Sequence, residues 1–507
     1  MSLKLNIFAN YASQLYVTGV GILILPLYVR YMGAEAYGLV GFFTMLQAWF
    51  ALLDLGLTPT IGRETACYRG GAMSALAYRQ LFRALSLIFA SIALIGGTGL
   101  WLLAEPIARR WLHVRDLPLD EVVLAVEIMA ISVALRWMGG LYRGVIGGYE
   151  RLVWLSGFNA LIGTLRFVMV FASMALFGFT PLVFFTHQLL VALLEILGLW
   201  LMSRHLLPPA RSLPHAIGWS FRPVRPLLGF ALSVAVTSSL WVLVTQTDKL
   251  VLSGILPLEE YGYFTLAVLA ASGIVVISSP ISSAILPHMT RLHAEGRRAE
   301  MLKVYREATQ FTSLIAGSAA ITLAVCAEPL LFAWTGDAQL AARAAPIMRL
   351  YAIGNGLLAI VAFSYYLQYV KGNLRYHLIG NTSMTVAQIP CIVLAARDYA
   401  GIGAGYVWLA FNALSLLLWV AYIHHKFEPG LHASWLRQDV LKIVLPATAL
   451  PLLIMESGLT VDTRLHSLAL VVSVGMVALT GGAIFSEFGR NWLHARLKRH
   501  EARSHPS

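Results

Sequence analysis

Charge is what this sequence has least of. Asp, Glu, Lys and Arg make up only 12% of its 507 residues, against about a quarter in an ordinary soluble protein. With 58% hydrophobic residues beside so little charge, a water-soluble fold is excluded, and the mean hydropathy of +0.72 points to a chain surrounded by lipid. Cysteine is also scarce. Cys67, Cys326 and Cys391 lie far apart, with neither metal-ligand spacing nor the even count of a disulfide framework, and read as packing residues.

Long polar stretches are missing too. No gap between apolar runs is long enough for a folded extramembrane domain, which argues against a receptor ectodomain, an attached nucleotide-hydrolysing domain, and polymerases or glycosyltransferases built around a large outer loop. There is no P-loop, and Gly401-Ile402-Gly403-Ala404-Gly405 opens an apolar run with no soluble strand before it, a weak nucleotide signal. No nucleophile lies beside a base, so neither an enzyme nor a cofactor is expected. His424-His425 ends a run without an i, i+4 partner, and no metal site is expected. Any driving energy must come from an ion gradient or from the substrate's own gradient.

What the chain does have is fourteen apolar runs of spanning length, beginning near residues 8, 38, 84, 122, 154, 182, 227, 262, 308, 346, 378, 403, 440 and 466. The expected fold is an all-α polytopic membrane protein. The net charge of +12 is spread as single residues and pairs in short gaps, the pattern that orients a membrane protein and not a nucleic-acid surface. Of 37 Lys and Arg, 26 fall on one side of the expected topology, Arg63 and Arg143 among them, and 9 on the other. The positive-inside rule then places both termini in the cytoplasm. The short N-terminus lacks a small-residue cleavage site, so the first helix is expected to stay in the protein.

An internal repeat underlies the runs. Ala34-Glu35-Ala36-Tyr37-Gly38 recurs as Leu258-Glu259-Glu260-Tyr261-Gly262, Ala104-Glu105-Pro106 with Trp111 recurs as Ala327-Glu328-Pro329 with Trp334, and Tyr142, Gly148 and Arg151 recur as Tyr366, Gly372 and Arg375. The offset is 223 or 224 residues throughout. This predicts two pseudo-symmetric six-helix lobes, residues 1–226 and 227–430, followed by residues 431–507 with two extra spans and a basic tail. Parallel repeats of this kind place a substrate cavity between lobes and favour alternating access; a duplicated scaffold without transport is the simpler alternative.

Polar residues within spans are costly in lipid and turn toward protein or water. The first span carries Asn10, Gln14, Thr18 and Gly21 on one face, and its repeat partner carries Ser233, Thr237, Trp241, Thr245 and Asp248. The fifth span has Asn159 and, near mid-bilayer, Arg166; the fourth has Arg136 above the small-residue row Gly140, Gly144, Gly148. Asn381, Thr385 and Gln388 share a face that suits sugar hydroxyls. The carboxylates in or beside spans are Asp54, Glu127, Glu195 and Asp248, with Gln47 seven residues before Asp54 and Gln188 seven before Glu195. Either the cations bind an anionic ligand or the two signs form internal salt bridges, and a buried carboxylate not so paired is a candidate proton carrier. Asp248-Lys249 also reads as an interfacial pair.

Pro26-Leu27-Tyr28-Val29-Arg30-Tyr31-Met32-Gly33-Ala34-Glu35-Ala36-Tyr37-Gly38, followed by Leu53-Asp54-Leu55-Gly56-Leu57 and Arg63-Glu64, resembles the N-terminus of the bacterial O-antigen and exopolysaccharide flippases. These belong to the superfamily that includes multidrug and toxin extruders and peptidoglycan-precursor flippases. Asp248-Lys249 with Tyr261-Gly262, Pro287 with Arg291, and Trp334 with Gly336-Asp337 resemble the second lobe of that family.

The resemblance implies two six-helix lobes around a central cavity, two further helices, and a location in the bacterial inner membrane. It implies a polyprenyl-diphosphate-linked oligosaccharide as substrate, moved from the cytoplasmic to the periplasmic leaflet, with membrane lipid, a polysaccharide polymerase and chain-length machinery as partners. On that reading Arg30, Arg136, Arg166 and Lys249 meet the diphosphate. Asn10, Gln14, Asn159, Gln246, Asn381 and Gln388 meet sugars, while Asp54, Arg63, Glu195 and Asp248 serve coupling or gating. The alternatives are a cation-coupled drug extruder, which would want unpaired carboxylates and aromatic walls, and a non-transporting scaffold of a glycan-assembly complex.

Overall fold

The computed structural model describes residues 3–209, 217–456 and 463–487. Of the basic residues counted on the cytoplasmic side, Arg211, Arg490, Arg496, Lys498, Arg499 and Arg503 lie outside these residues, as do the side chains of Lys4 from the same count and of Ser233 and Thr237. Among the described residues the fold is helical. In order come α1 (Leu3–Met32), α2 (Ala34–Phe50), α3 (Leu57–Arg69), α4 (Ala75–Leu102), the short α5 (Ala104–Pro106), α6 (Leu119–Gly148), α7 (Leu152–Thr164), α8 (Val170–Phe177), α9 (Pro181–Leu206) and α10 (Leu228–Ser253). Then follow α11 (Leu258–Ala294), α12 (Arg298–Val325), α13 (Ala327–Thr335), α14 (Ala338–Val370), α15 (Arg375–Leu414), α16 (Val420–Phe427), α17 (Leu431–Trp435), α18 (Lys442–Glu456) and α19 (Arg464–Phe485).

Local chemistry sets many of the ends. Ser74, Thr180, Asp337 and Thr463 each accept a backbone N–H of the first turn, at 3.0–3.3 Å, the usual cap that satisfies an orphan donor. Pro181 follows its cap at the first helical position, where its missing N–H does no harm. The expected second span breaks where α2 tightens at Ala51–Asp54 and the chain passes through left-handed Leu55 and Gly56, φ 47° and 71°. A side chain on Gly56 would strike the Ala231 carbonyl, so glycine lets α10 reach this corner.

Among the described residues, eleven segments are long and apolar enough to span a membrane. One of them, Arg375–Phe427, has 53 residues and turns at Ala400, φ 53° and ψ −137°, so it makes two of the fourteen expected passes. The 26-residue α10 and α18, described over 15 residues and carrying Pro446 and Pro451, correspond to the remaining two. Leu94, Ile95, Leu176 and Phe177 are 70–78% exposed, as lipid-facing residues are. This is an all-α polytopic membrane protein.

The chain forms two compact units, one up to Gly262 and one from Tyr263. In the first, Ile61, Tyr78, Leu81, Phe89, Leu141 and Val145 form a core. Because lipid is as apolar as a leucine core, close backbone approach, not hydrophobic exclusion, selects the helix pairs. Gly144 and Gly148 lie against Thr58, Ile61, Gly62 and Thr65 of α3, so the small-residue row of α6 seats α3. Two of the motifs that the repeat reading pairs meet within this unit: a Cβ on Gly38 would hit Leu258, and one on Gly262 would lie 2.6 Å from the Ala34 carbonyl. α10 packs on α2 and α3, which makes the compact units a different partition from the repeat.

In the second unit Met301, Tyr305, Phe363, Leu367, Val420 and Trp435 form the core. Gly356 of α14 meets Ala320 of α12 as Gly97 of α4 meets Ala134 of α6, one small-residue crossing in each unit. The two extra helices α18 and α19 pack on α12 and on each other. Arg306 of α12 pairs with Asp439 at 2.7 Å just before them.

Candidate functional site

The polar interior of the first unit is built in two layers. α6 carries Arg136 near its middle, α9 brings Gln188 and α2 brings Gln47. After α7 the helix widens into a π turn at Leu165–Met169 that carries Arg166; such bulges re-aim side chains and recur at functional sites. Arg136 Nη1 and Arg166 Nη2 both donate to Gln47 Oε1, each at 3.1 Å. Arg136 Nη2 donates to Gln188 Oε1 at 2.8 Å, and Gln188 Nε2 donates to the Arg166 carbonyl at 2.9 Å. Phe43 and Phe167 rings lie 5.4 and 5.2 Å from the two guanidinium carbons.

No carboxylate among the described residues lies within ion-pair distance of either guanidinium, and Arg136 Nε is buried without a partner. An uncompensated charge in this setting costs several kcal/mol, of order 3 by insertion scales. The two guanidinium groups therefore share one neutral oxygen, with no carboxylate among the described residues at ion-pair distance.

Seven residues along each helix, two turns or about 10 Å, lies the second layer. Arg143 of α6 pairs with Glu195 of α9 at 2.5 Å and donates through Nη1 to Asn159 Oδ1 of α7 at 2.5 Å. Sequence reasoning put Arg143 in a loop, but α6 continues to Gly148 and holds it inside. The i, i+7 spacing from Arg136 was the available signal. Of the two possibilities for Glu195, the structure gives it an internal salt bridge, with Arg143 and not with Arg136 or Arg166.

The other expected residues stand apart from these layers. Arg30 is exposed over the Tyr31 ring, and Asn10 and Gln14 are exposed along α1. Lys249 Nζ donates to the Thr245 carbonyl at 2.6 Å and to Asp248 at 3.3 Å. Gln246 accepts at its carbonyl from Trp49 Nε1, at 3.4 Å. Asp54 accepts from Thr58 N and Oγ1, at 3.2 and 2.5 Å, and thereby holds the start of α3. Arg63 is half exposed and pairs with Glu64 at 3.0 Å. In the second unit Asn381 contacts His377 at 3.1 Å and Gln388 is buried.

The fold is shared with solved transporters. The lipid II flippase MurJ in an inward closed conformation is similar with a TM-score of 0.72 at 13% identity, over 96% of this chain and 99% of that one. An inward-facing multidrug resistance MATE family transporter of the MOP superfamily is similar with a TM-score of 0.65 at 14% identity, over 82% of this chain and 96% of that one. A MOP superfamily transporter from Pyrococcus furiosus, described as having a binding pocket of reverse polarity, gives 0.53 at 13% identity, over 85% of this chain and 96% of that one. No curated protein matches the sequence. Residues 3–293, which include both polar layers, match the polysaccharide biosynthesis protein family, and the chain belongs to that family.

Proposed function

We propose that this protein is a flippase that carries a polyprenyl-diphosphate-linked oligosaccharide from the cytoplasmic to the periplasmic leaflet of the bacterial inner membrane by alternating access, with both termini in the cytoplasm. The observation that carries the reading is the pair Arg136 and Arg166, mid-span and sharing Gln47 Oε1 without a carboxylate. A diphosphate brings the counter-charge and the acceptors that this pair lacks, and charge-assisted bonds to guanidinium are the strong ones. The polyprenyl chain stays in lipid while the glycan meets amides and hydroxyls, Asn381 and Gln388 among them.

Family membership and the shared fold support transport for surface polysaccharide synthesis, in which a polymerase and chain-length machinery would act on the flipped product. Glu195, the carboxylate a cation-coupled extruder would use, is already tied to Arg143, which favours the anionic substrate. The test is the leaflet distribution of polyprenyl-diphosphate oligosaccharide in cells lacking the protein and any second flippase, complemented with wild type or Arg166→Ala. The expected outcome is accumulation on the cytoplasmic leaflet relieved by wild type alone. An unchanged distribution in the deletion strain would reject the flippase, and full rescue by Arg166→Ala would remove the arginine from the route.

A further inference from the structure

Arg143 has the same fork of donors as Arg136, two turns along the same helix, and its fork is taken by Glu195 and Asn159 at 2.5 Å each. The Glu195 side chain is 10% exposed and that of Arg143 31%, so the cation is reachable while its counter-charge is nearly enclosed. A carboxylate oxygen at 2.5 Å on one guanidinium nitrogen, beside an amide oxygen on the other, imitates the acceptors of a bound phosphate.

We infer that Arg143 is a second anion site on the path of the diphosphate, masked by Glu195. The carboxylate and the ligand compete for one guanidinium, so the layer holds an anion only while Glu195 lets go. The inference rests on the reading of Arg136 and Arg166 as the diphosphate site and extends it to two stations about 10 Å apart. In the resting protein Glu195 also removes one positive charge from the interior, so that a net attraction for anions is concentrated at the Arg136 layer.

The test is calorimetric titration of the purified full-length protein with inorganic pyrophosphate, for wild type, Glu195→Gln, Glu195→Asp, Arg136→Gln/Arg166→Gln, and that double variant combined with Glu195→Gln. Glutamine keeps the shape and an acceptor for Arg143 but not the charge. Glu195→Gln is expected to add a second binding event per chain, about tenfold weaker or stronger than the first according to how fully Asn159 still occupies the fork. That event should persist in the triple variant and disappear when Arg143→Gln is added. Glu195→Asp, which keeps the charge, should bind as wild type does.

A folded Glu195→Gln protein with wild-type stoichiometry and affinity overturns the inference, as does an equal gain in Glu195→Asp, which would make the effect one of packing. Failure of the underlying reading looks different: wild-type binding would then survive Arg136→Gln/Arg166→Gln. If neither wild type nor Glu195→Gln binds pyrophosphate, both fall together.

Discussion

The two units use polar chemistry in opposite ways. In the first, guanidinium groups sit mid-span: Arg136 and Arg166 share a neutral amide oxygen, and Arg143 meets its carboxylate one layer on. In the second, the described residues include a neutral mid-span network. Asn355 donates to the Ala271 carbonyl at 2.9 Å and accepts from Trp408 Nε1 at 3.1 Å, tying α11, α14 and α15 together. The charges of that unit gather at helix ends, where Glu428 is held by Arg298 and by Lys371, the latter at 2.5 Å. Each unit has a small-residue crossing, Gly97 on Ala134 and Gly356 on Ala320, while Arg136, Arg143 and Arg166 all belong to the first. The difference teaches that buried mid-span charge is not a general requirement of such helix packing, which is why the proposed function assigns it to a ligand.

That contrast can be broken most directly at the arginines. Arg136→Ala or Arg166→Ala should lower transport roughly a hundredfold, because each removes about 3 kcal/mol of charge-assisted bonding, while thermal stability holds or rises as an uncompensated buried charge disappears. Initial rates in reconstituted vesicles, read beside melting curves, check this. A drop in both would make the arginines structural, like the polar residues of the second unit.

The complementary change is Asn355→Ala. It leaves the Trp408 N–H and the Ala271 carbonyl without their side-chain partner and should cost about 2 kcal/mol of stability with pyrophosphate affinity unchanged. Denaturant midpoints and calorimetry separate the two effects. Affinity lost in proportion to stability would erase the distinction between a binding unit and a neutral one.

A smaller effect is expected at Glu428. Burial alone would raise its carboxyl, but hydrogen bonds from Arg298 and Lys371 and their charges outweigh burial and hold it below the ordinary value. A group depressed in the folded state stabilises above its unfolded pKa, about 4.3 for Glu, and that stabilisation fades as pH falls through the lower folded value. The melting temperature of wild type should therefore fall by a few degrees more than that of Glu428→Gln over the acid range below that point, and the two should differ most at neutral pH. Parallel curves would mean that the clamp is inert.

Smallest is Asn381→Ala, for which a several-fold loss of glycolipid transport is expected, with pyrophosphate binding intact. Transport of the normal lipid-linked glycan compared with a lipid diphosphate lacking sugars reads this out. An equal loss for both lipids would take Asn381 out of sugar recognition.

The sequence disclosed the helices because apolar runs of spanning length permit little else in lipid, and the motif residues Tyr37, Gly38, Tyr261 and Gly262 lie in close contacts or buried positions. Arg136 and Arg166 were legible by the cost of placing them mid-span. Their shared acceptor was not, since Gln47 lies on another helix and the approach depends on a π turn at Leu165–Met169 that no composition signal announces. Arg143 was misplaced because positive charge near the end of an apolar run looks like a loop, and only the length of α6 carries it inside. Asp54, expected at a gate, also holds the start of α3 through Thr58, a local hydrogen bond that the Asp-Leu-Gly-Leu-Thr order allows. The break at Leu55 and Gly56 followed from the same few residues.

The measurement that bears most directly on the account is transbilayer movement of a polyprenyl-diphosphate oligosaccharide in vesicles containing the purified protein, against the same glycan on an uncharged polyprenyl lipid. The account predicts transfer of the diphosphate-linked lipid by wild type, little transfer of the uncharged one, and loss of that preference in Arg136→Gln/Arg166→Gln. Equal transfer of both lipids by wild type, or a preference for the diphosphate undiminished in the double variant, would contradict it.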